Sequence, residues 1–322
     1  MEIKKLGNTG IEVSPIGFGV LTVGNTQLDL PIDEGAELIC HAMDIGINFF
    51  DTAQYYRTYP YIRRALQMRA YADPLPVISS KCLDASYAEM RDAVEEARSE
   101  LDMDVIDIFL MHEVRHDHDF ENRAGAWEYL NEAKAKGLVR AIGVSTHHAD
   151  VAEQMAVVKE CDILFPLINK DSLGIRYGAG PGRKEDMAAA IKANADAGKG
   201  VFAMKVFGGG NLTGDYLASL DYVSSLPGIS SMMIGFGKKE EIDDAAAYAE
   251  HRLPEGFQPD TGSKKIHIDP GDCEGCGTCI RRCPNKAIRF NEKKSIAEVD
   301  HSICLTCGYC APVCPVRAII MY

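Results

Sequence analysis

Eight of the chain's eleven cysteines crowd between positions 273 and 314, and no other feature limits the fold so sharply. Cys273, Cys276, Cys279 and Cys283 form C-x2-C-x2-C-x3-C before Pro284. Cys304, Cys307, Cys310 and Cys314 repeat the run before Pro315. Each cysteine recurs 31 positions later, and so do Asp269/Asp300, Gly277/Gly308, Ala287/Ala318 and Ile288/Ile319. Such a duplication predicts two similar halves about a pseudo-twofold axis. Three thiolates two residues apart wrap a loop around one face of an iron–sulfur cubane, and the fourth, held before proline, reaches across to the other cubane. The spacing therefore assigns Cys273, Cys276, Cys279 and Cys314 to one 4Fe–4S cluster and Cys304, Cys307, Cys310 and Cys283 to a second. Tetrahedral zinc would use two spaced pairs rather than triplets with a trailing Cys-Pro. So short a segment has little core, which predicts that the clusters hold it folded.

This tract resembles the bacterial two-cluster ferredoxins over its whole length, 266–322, which implies low-potential, one-electron transfer. The N-terminal residues lack the apolar stretch of an export signal, and no apolar run reaches membrane-spanning length. Crowded cysteines in such a chain predict metal in a reducing cytoplasm rather than disulfides. At 46% hydrophobic and 25% charged residues the composition is that of an ordinary globular protein. Net charge is −13, with no clustered basic face of the kind nucleic acid needs, so neither a nucleic-acid nor a membrane partner is expected. Within 266–322 the formal charge is +1, which eight thiolates and two oxidised cubane cores would turn to about −3.

Upstream the chain is different in kind. Apolar or β-branched runs at 16–20, 47–52, 77–81, 105–112, 139–145, 163–169, 200–207 and 231–236 alternate with amphipathic or Ala-rich stretches such as 87–101, 126–136 and 186–197. Eight strands, nearly all followed by helix, predict a closed (β/α)8 TIM barrel rather than an open doubly wound sheet, because no strand leads into G-x-G-x-x-G. The opening residues, with Gly7 and Gly10, predict a hairpin ahead of the barrel. Residues 252–265 hold Pro254, Gly256, Pro259 and Gly262 and read as a linker. The organisation expected is a barrel at 1–255, a linker at 256–265 and a small α+β ferredoxin-like domain at 266–322.

In such barrels, working groups gather where strands end at the C-terminal face. Asp51, Lys81 and His112 end the second, third and fourth predicted strands, and Tyr56 follows Asp51 by five residues. Carbonyl reduction by hydride needs a proton donor beside the oxygen, and tyrosine with a pKa near 10 is a poor one. An ammonium about 4 Å away is worth roughly 4 kcal/mol at an effective dielectric near 20, so Lys81 is expected to pull the tyrosine down, with Asp51 keeping Lys81 charged. His112 is expected to contact the substrate carbonyl or complete a proton relay. Taken singly, Asp51 can be a helix cap, Lys81 a strand-end lysine, His112 a core histidine, and Tyr55, Tyr56, Tyr59 or Tyr61 packing. His116 and His118 read as part of a solvated acidic loop, His147 and His148 as possible substrate contacts, and Cys82 as packing.

Residues 2–250 resemble the aldo-keto reductases, through LGNTGIEVSPIGFG (6–19), GINFFDTAQYY (46–56), ISSK (78–81), FLMH (109–112), GLVRAIGVS (137–145) and PGISSMMIGFGKKEEIDD (227–244). The resemblance places that family's Asp–Tyr–Lys–His tetrad on Asp51, Tyr56, Lys81 and His112, and only its spacing selects Tyr56 over Tyr55. It also implies NAD(H) or NADP(H), held by Ser145, Asn169, Lys205, Gly208, Gly209, Lys238 and Lys239. The pattern breaks in several places. Thr146 replaces an Asn, the usual Gln after strand six is missing, Met204 stands where a stacking tyrosine is common, and Arg57 replaces a Gly. Glu241 occupies the place of the phosphate-binding Arg, and a carboxylate there repels a 2′-phosphate.

The reading that follows is an iron–sulfur oxidoreductase of aldo-keto reductase type. It would act on a small carbonyl or alcohol substrate with Tyr56 as acid/base, and its clusters would exchange electrons with the active site or with a redox partner such as ferredoxin. Two alternatives stay open: an electron carrier with the barrel as scaffold, and an ordinary NAD(P)H reductase whose clusters are structural.

Overall fold

The computed structural model describes residues 1–25, 27–71, 74–260, 265–283, 286–304, 308 and 310–321. Eight parallel strands close into a barrel: β1 (Ile16–Gly19), β2 (Phe49–Asp51), β3 (Val77–Cys82), β4 (Ile106–Met111), β5 (Val139–Thr146), β6 (Ile163–Pro166), β7 (Gly200–Ala203) and β8 (Ile229–Ile234). They neighbour one another in chain order, and β8 pairs with β1. β2, β3, β4, β6, β7 and β8 are buried at every residue, which is why they read in sequence as mainly apolar runs, with polar residues such as Ser79, Ser80, Lys81 and Asp107 buried among them. Phe49, Ile108, Leu110, Phe165, Phe202 and Met233 fill the interior. The hairpin of Lys4–Lys5 with Glu12–Val13 supplies Leu6, Ile11 and Val13 to the same cluster. Helices cover the outside. The helix Tyr87–Leu101 starts at a reciprocal Ser86–Glu89 capping box and turns Met90, Val94 and Leu101 inward.

Beyond the barrel lie β9 (Ile266–Ile268), the short helix Thr278–Arg282, β10 (Ile288–Asn291), β11 (Ile296–Val299) and β12 (Ile319–Met321). β9 pairs antiparallel with β12, and β10 with β11. The sequence duplication has a structural counterpart. Asp269 N–H donates to Ala318 O, and its repeat Asp300 N–H to Ala287 O, both at 2.7 Å. The amides of Cys273 and Cys304 turn back to Asp269 O and Asp300 O at 3.0 and 3.1 Å. This unit's apolar cluster is thin, and Cys279, Cys310 and Cys314 are part of it.

The small unit sits on the C-terminal face of the barrel. Lys205 Nζ, just past β7, donates to Asp272 Oδ2 at 2.9 Å, and Met321 N–H in β12 donates to Gly209 O at 2.6 Å. Gly210, at φ +83°, shows how close this approach is, since a Cβ there would lie 1.8 Å from Met321 O. The stretch that holds Gly208 and Gly209 receives a strand of the C-terminal unit.

Candidate active site at the barrel mouth

Asp51 is the last residue of β2, Lys81 the last but one of β3, and His112 follows β4 directly. Tyr56 ends the short 3-10 turn Gln54–Tyr56, which Arg57 stops in the left-handed region at φ +55°. That is the backbone a glycine adopts without strain, so the arginine keeps the loop's shape at some conformational cost. The four side chains converge. Lys81 Nζ donates to Asp51 Oδ2 at 2.7 Å and to Thr52 O at 2.8 Å, and lies 4.8 Å from the Tyr56 ring centroid. Tyr56 Oη is 3.3 Å from His112 Nε2. Arg123, which the sequence reading passed over, donates to His112 O and Cys82 O, both at 3.0 Å, and ties the ends of β3 and β4 together beneath the site.

The electrostatics correct one expectation. Tyr56 is not pulled down by Lys81. Burial drives its pKa well above the ordinary value of 10, and the carboxylates of Asp51, Asp269, Asp272 and Glu113 add to the rise. The reason is geometric: Lys81's charge is spent on Asp51, while carboxylates of the C-terminal unit face the phenol. Lys81 is itself lowered by burial, with Asp51 working the other way. Burial, then Lys81, His147 and Arg123, hold His112 far below the usual histidine value, so it is neutral. In the neutral tautomer that carries its proton on Nδ1, an atom with no hydrogen-bond partner among the described residues, Nε2 accepts from the Tyr56 hydroxyl.

In front of Tyr56 opens a cavity of about 440 Å³, walled mainly by apolar side chains including Phe165, Met204, Phe207, Met233, Ile320 and Met321. Lys205, Gly209 and Lys238 line it, but Ser145, Asn169, Gly208 and Lys239 do not. Ser145 Oγ accepts from Glu113 N–H at 2.8 Å, and Asn169 is used up bracing its own loop, with Oδ1 on Leu173 N–H and Nδ2 on Leu173 O, each at 2.8 Å. Gly208 O takes the Asn211 amide, and Lys239 is exposed at the start of its helix. Lys238 pairs with Asp260 at 3.2 Å. Glu241 Oε2 accepts from Gly237 N–H at 2.8 Å. The wall supplied by Ile320 and Met321 had no signal in the sequence, because nothing local says where a terminal strand docks.

A second, polar chamber of about 370 Å³ lies between the loops after β4 and β5 and residues 272–274. There Glu113, His147 and Asp272 bring ligand-type atoms within 4.8 Å of one another. Both carboxylates already have cations: Arg115 at 2.8 Å from Glu113, and Lys205 on Asp272. His116 and His118 do not join His112. His116 packs against His148 with ring centroids 5.3 Å apart, and His118 is exposed. Cys82 is buried, its thiol pushed up to about 12 by burial and Asp84, as suits a packing residue.

Seven of the eight clustered cysteines are described, all as free thiols, and Cys307 lies outside the described residues. Burial raises Cys279 to about 11, and the neighbours that add to it are Cys314, Cys273 and Cys276. Cys310, also raised to about 11, has Cys279, Cys304 and Cys283 beside it. Cys279 thus lies near Cys314, Cys273 and Cys276, and near Cys310 of the second run as well, an all-thiolate donor set that suits iron–sulfur clusters.

Residues 15–227 match the Aldo/keto reductase family, and residues 272–318 match the 4Fe-4S dicluster domain. The chain is similar to L-galactose dehydrogenase of Arabidopsis thaliana, 26% identical over 47% of this chain and 50% of that protein. It is also similar to 6-dehydroglucose reductase of Novosphingobium aromaticivorans, 30% identical over 46% and 52%. It thus spans about half the length of these curated relatives. Among solved structures, an aldo-keto reductase of Pseudomonas aeruginosa superposes with a TM-score of 0.65 at 27% identity, covering 78% of this chain and 95% of that one. With a closed barrel, a match across most of it and a dicluster domain behind it, the chain belongs to the aldo/keto reductase family and carries a C-terminal 4Fe–4S dicluster domain.

Proposed function

We propose that the chain interconverts a carbonyl and an alcohol on a small molecule, with Tyr56 as the proton donor, and that the iron–sulfur unit exchanges electrons with that site and with a redox partner such as ferredoxin. The observation that carries this is the Tyr56 hydroxyl held 3.3 Å from His112 Nε2 over the buried Lys81–Asp51 pair, at the floor of an apolar cavity. A buried phenol with a raised pKa keeps its proton until an oxygen beside it gains charge. His112 orients it, while Lys81, paired to Asp51, braces the floor beneath the ring. The neighbouring apolar walls exclude water.

Phe165 and Met204 would hold a nicotinamide ring in this cavity, with Lys238 among the cations that line it. When bound, a reduced nicotinamide would supply hydride to the carbonyl carbon while Tyr56 supplies the proton, and two single electrons from the clusters, with one proton, would return the oxidised nicotinamide to its reduced form. Among the nicotinamides we favour NADH, because Glu241 already fills the loop amide at the start of its helix. Support for the electron link comes from Lys205, which lines the cavity and holds Asp272, the residue before Cys273.

Anaerobically purified protein is expected to hold about eight irons and eight acid-labile sulfides per chain. Four irons, or stoichiometric zinc, would remove the two-cluster assignment. The functional reading is tested by anaerobic titration with NADH and then NADPH, followed by nucleotide fluorescence and cluster EPR. Bound NADH with a growing reduced-cluster signal supports it. If neither nucleotide binds and no carbonyl is turned over, the barrel is a scaffold for an electron carrier.

A further inference from the structure

Six of the seven Lys and Arg residues of the C-terminal unit fall between positions 281 and 294, against one acid, Glu292. The stretch carries +5 in a chain of net −13. Its fold concentrates part of that charge at one exposed spot. Arg281 Nη2 donates to Thr278 Oγ1 at 3.3 Å, and that hydroxyl lies 3.4 Å from Sγ of Cys276, which is exposed. The β10–β11 turn lies against the same loop: a Cβ on Gly275 would meet Ser295 O at 2.4 Å and the Phe290 ring at 3.2 Å. Phe290, a large aromatic, is 46% exposed. Lys293 and Lys294 are exposed on that turn, with Lys294 paired to Glu298 at 2.8 Å. Among the described residues, neither Arg281 nor Lys293 has a carboxylate partner. On its other side the Cys273–Cys276 loop is tied through Asp272 to Lys205 at the barrel mouth.

We propose that Arg281, Lys293 and Lys294, around Phe290 and Cys276, form the docking face for an acidic one-electron carrier protein. The carrier gives up one electron and is oxidised; a cubane core goes from +2 to +1, and no proton or bond changes hands. Charge complementarity argues for this occupant. The chain is net acidic, and more so with its clusters loaded, so an acidic partner is steered toward this local positive charge. The aromatic supplies a central apolar contact of the kind that anchors interfaces. A nucleic acid or an anionic membrane extends beyond so small a patch and would meet the acidic remainder. The inference rests on the clusters conducting electrons; binding is measured without substrate, so it can stand where the carbonyl reading fails.

The test titrates full-length, cluster-loaded protein with an acidic bacterial ferredoxin by calorimetry at about 0.05 M and about 0.5 M salt. Wild-type affinity should fall at least tenfold with the added salt. The double variant Arg281→Glu, Lys293→Glu, with unchanged iron content, should bind at least tenfold more weakly than wild type at low salt. Phe290→Ala should weaken binding without altering the salt dependence, and Lys159→Glu on the barrel should change nothing. Reduction of the clusters by methyl viologen radical should run at the wild-type rate in all variants. Unchanged affinity in the double variant, or binding indifferent to salt, overturns the proposal. Tighter binding of duplex DNA or anionic phospholipid vesicles, lost in the same variant, overturns it in favour of that polyanion.

Discussion

Tyr56→Phe is expected to lower carbonyl turnover by about 10²–10⁴-fold, the usual worth of a positioned general acid, with iron and labile sulfide unchanged. The substitution removes one hydroxyl, whose 3.3 Å partner is His112 Nε2, and leaves the ring edge-on to the imidazole with centroids 5.4 Å apart. Lys81 and Asp51 make poorer probes. They form a buried pair only 1% and 7% exposed, and removing either partner strands a charge at about 3–5 kcal/mol. A loss of turnover there would mix chemistry with folding. Tyr55→Phe is the control, since Tyr55 is 42% exposed and lies beside Gly271 of the cluster unit. If Tyr56→Phe keeps its rate and Tyr55→Phe loses it, the proton donor is Tyr55.

The same site makes a statement about pH. Tyr56 is raised well above its ordinary 10 and His112 sits well below its ordinary 6.5, so between about pH 6 and 9 neither changes charge. Carbonyl reduction, which uses the protonated phenol, should be flat across that range. Alcohol oxidation, which needs the phenolate, should climb with pH and not level off before the range ends. Initial rates in both directions with one substrate pair check this. A reduction rate that halves near neutrality would show that another group, outside this constellation, supplies the proton.

What could be read in the sequence was whatever the chain encodes locally. Eight mainly apolar runs correspond to eight barrel strands, because a strand buried on both faces is largely apolar, and the polar residues buried within β2 and β3 include the site's own Asp51 and Lys81. The ends of three of them carried Asp51, Lys81 and His112 to one mouth, because strand ends in a closed parallel barrel share a face. Strand ends themselves ran long in the reading: the runs at 163–169 and 200–207 shorten to β6 and β7, and their tails become the loops that carry Asn169 and Lys205. The cysteine spacing was legible for the same local reason. What stayed hidden depends on how the two units meet. Nothing in GGG at 208–210 distinguishes a loop that cradles pyrophosphate from one that receives Met321, and nothing in Asp272 announces Lys205 as its partner. The sign of the Tyr56 shift was misread because burial, then Asp51 and the carboxylates of the second unit, drive the phenol up while Lys81 is committed to Asp51.

NADH should bind at least as tightly as NADPH, and Glu241→Arg should turn that preference over by about 10–100-fold. Helix N-termini attract anions because their first amides are unpaired and the helix dipole is positive there. At the start of the helix Lys239–Ala249 that place is taken: Glu241, in the first turn, accepts from Gly237 N–H at 2.8 Å and lines the cavity. A 2′-phosphate arriving there meets a fixed negative charge and finds this amide engaged. Lys238 is the obvious counterweight, but it is already paired with Asp260 at 3.2 Å. A lost charge-assisted contact is worth about 1.5–3 kcal/mol, and each tenfold in affinity is about 1.4 kcal/mol, which sets the expected range. Glu241→Gln separates the two contributions, because an amide oxygen still accepts from Gly237 while the charge is gone. It should recover part of the NADPH affinity, and arginine the rest, with NADH little changed in both. Dissociation constants for both nucleotides, measured at one salt concentration, decide the matter. A wild-type NADPH complex tenfold tighter than the NADH complex would mean that the phosphate is gripped by cations elsewhere on the cavity rim, where Lys205, Lys238 and Lys265 are the candidates.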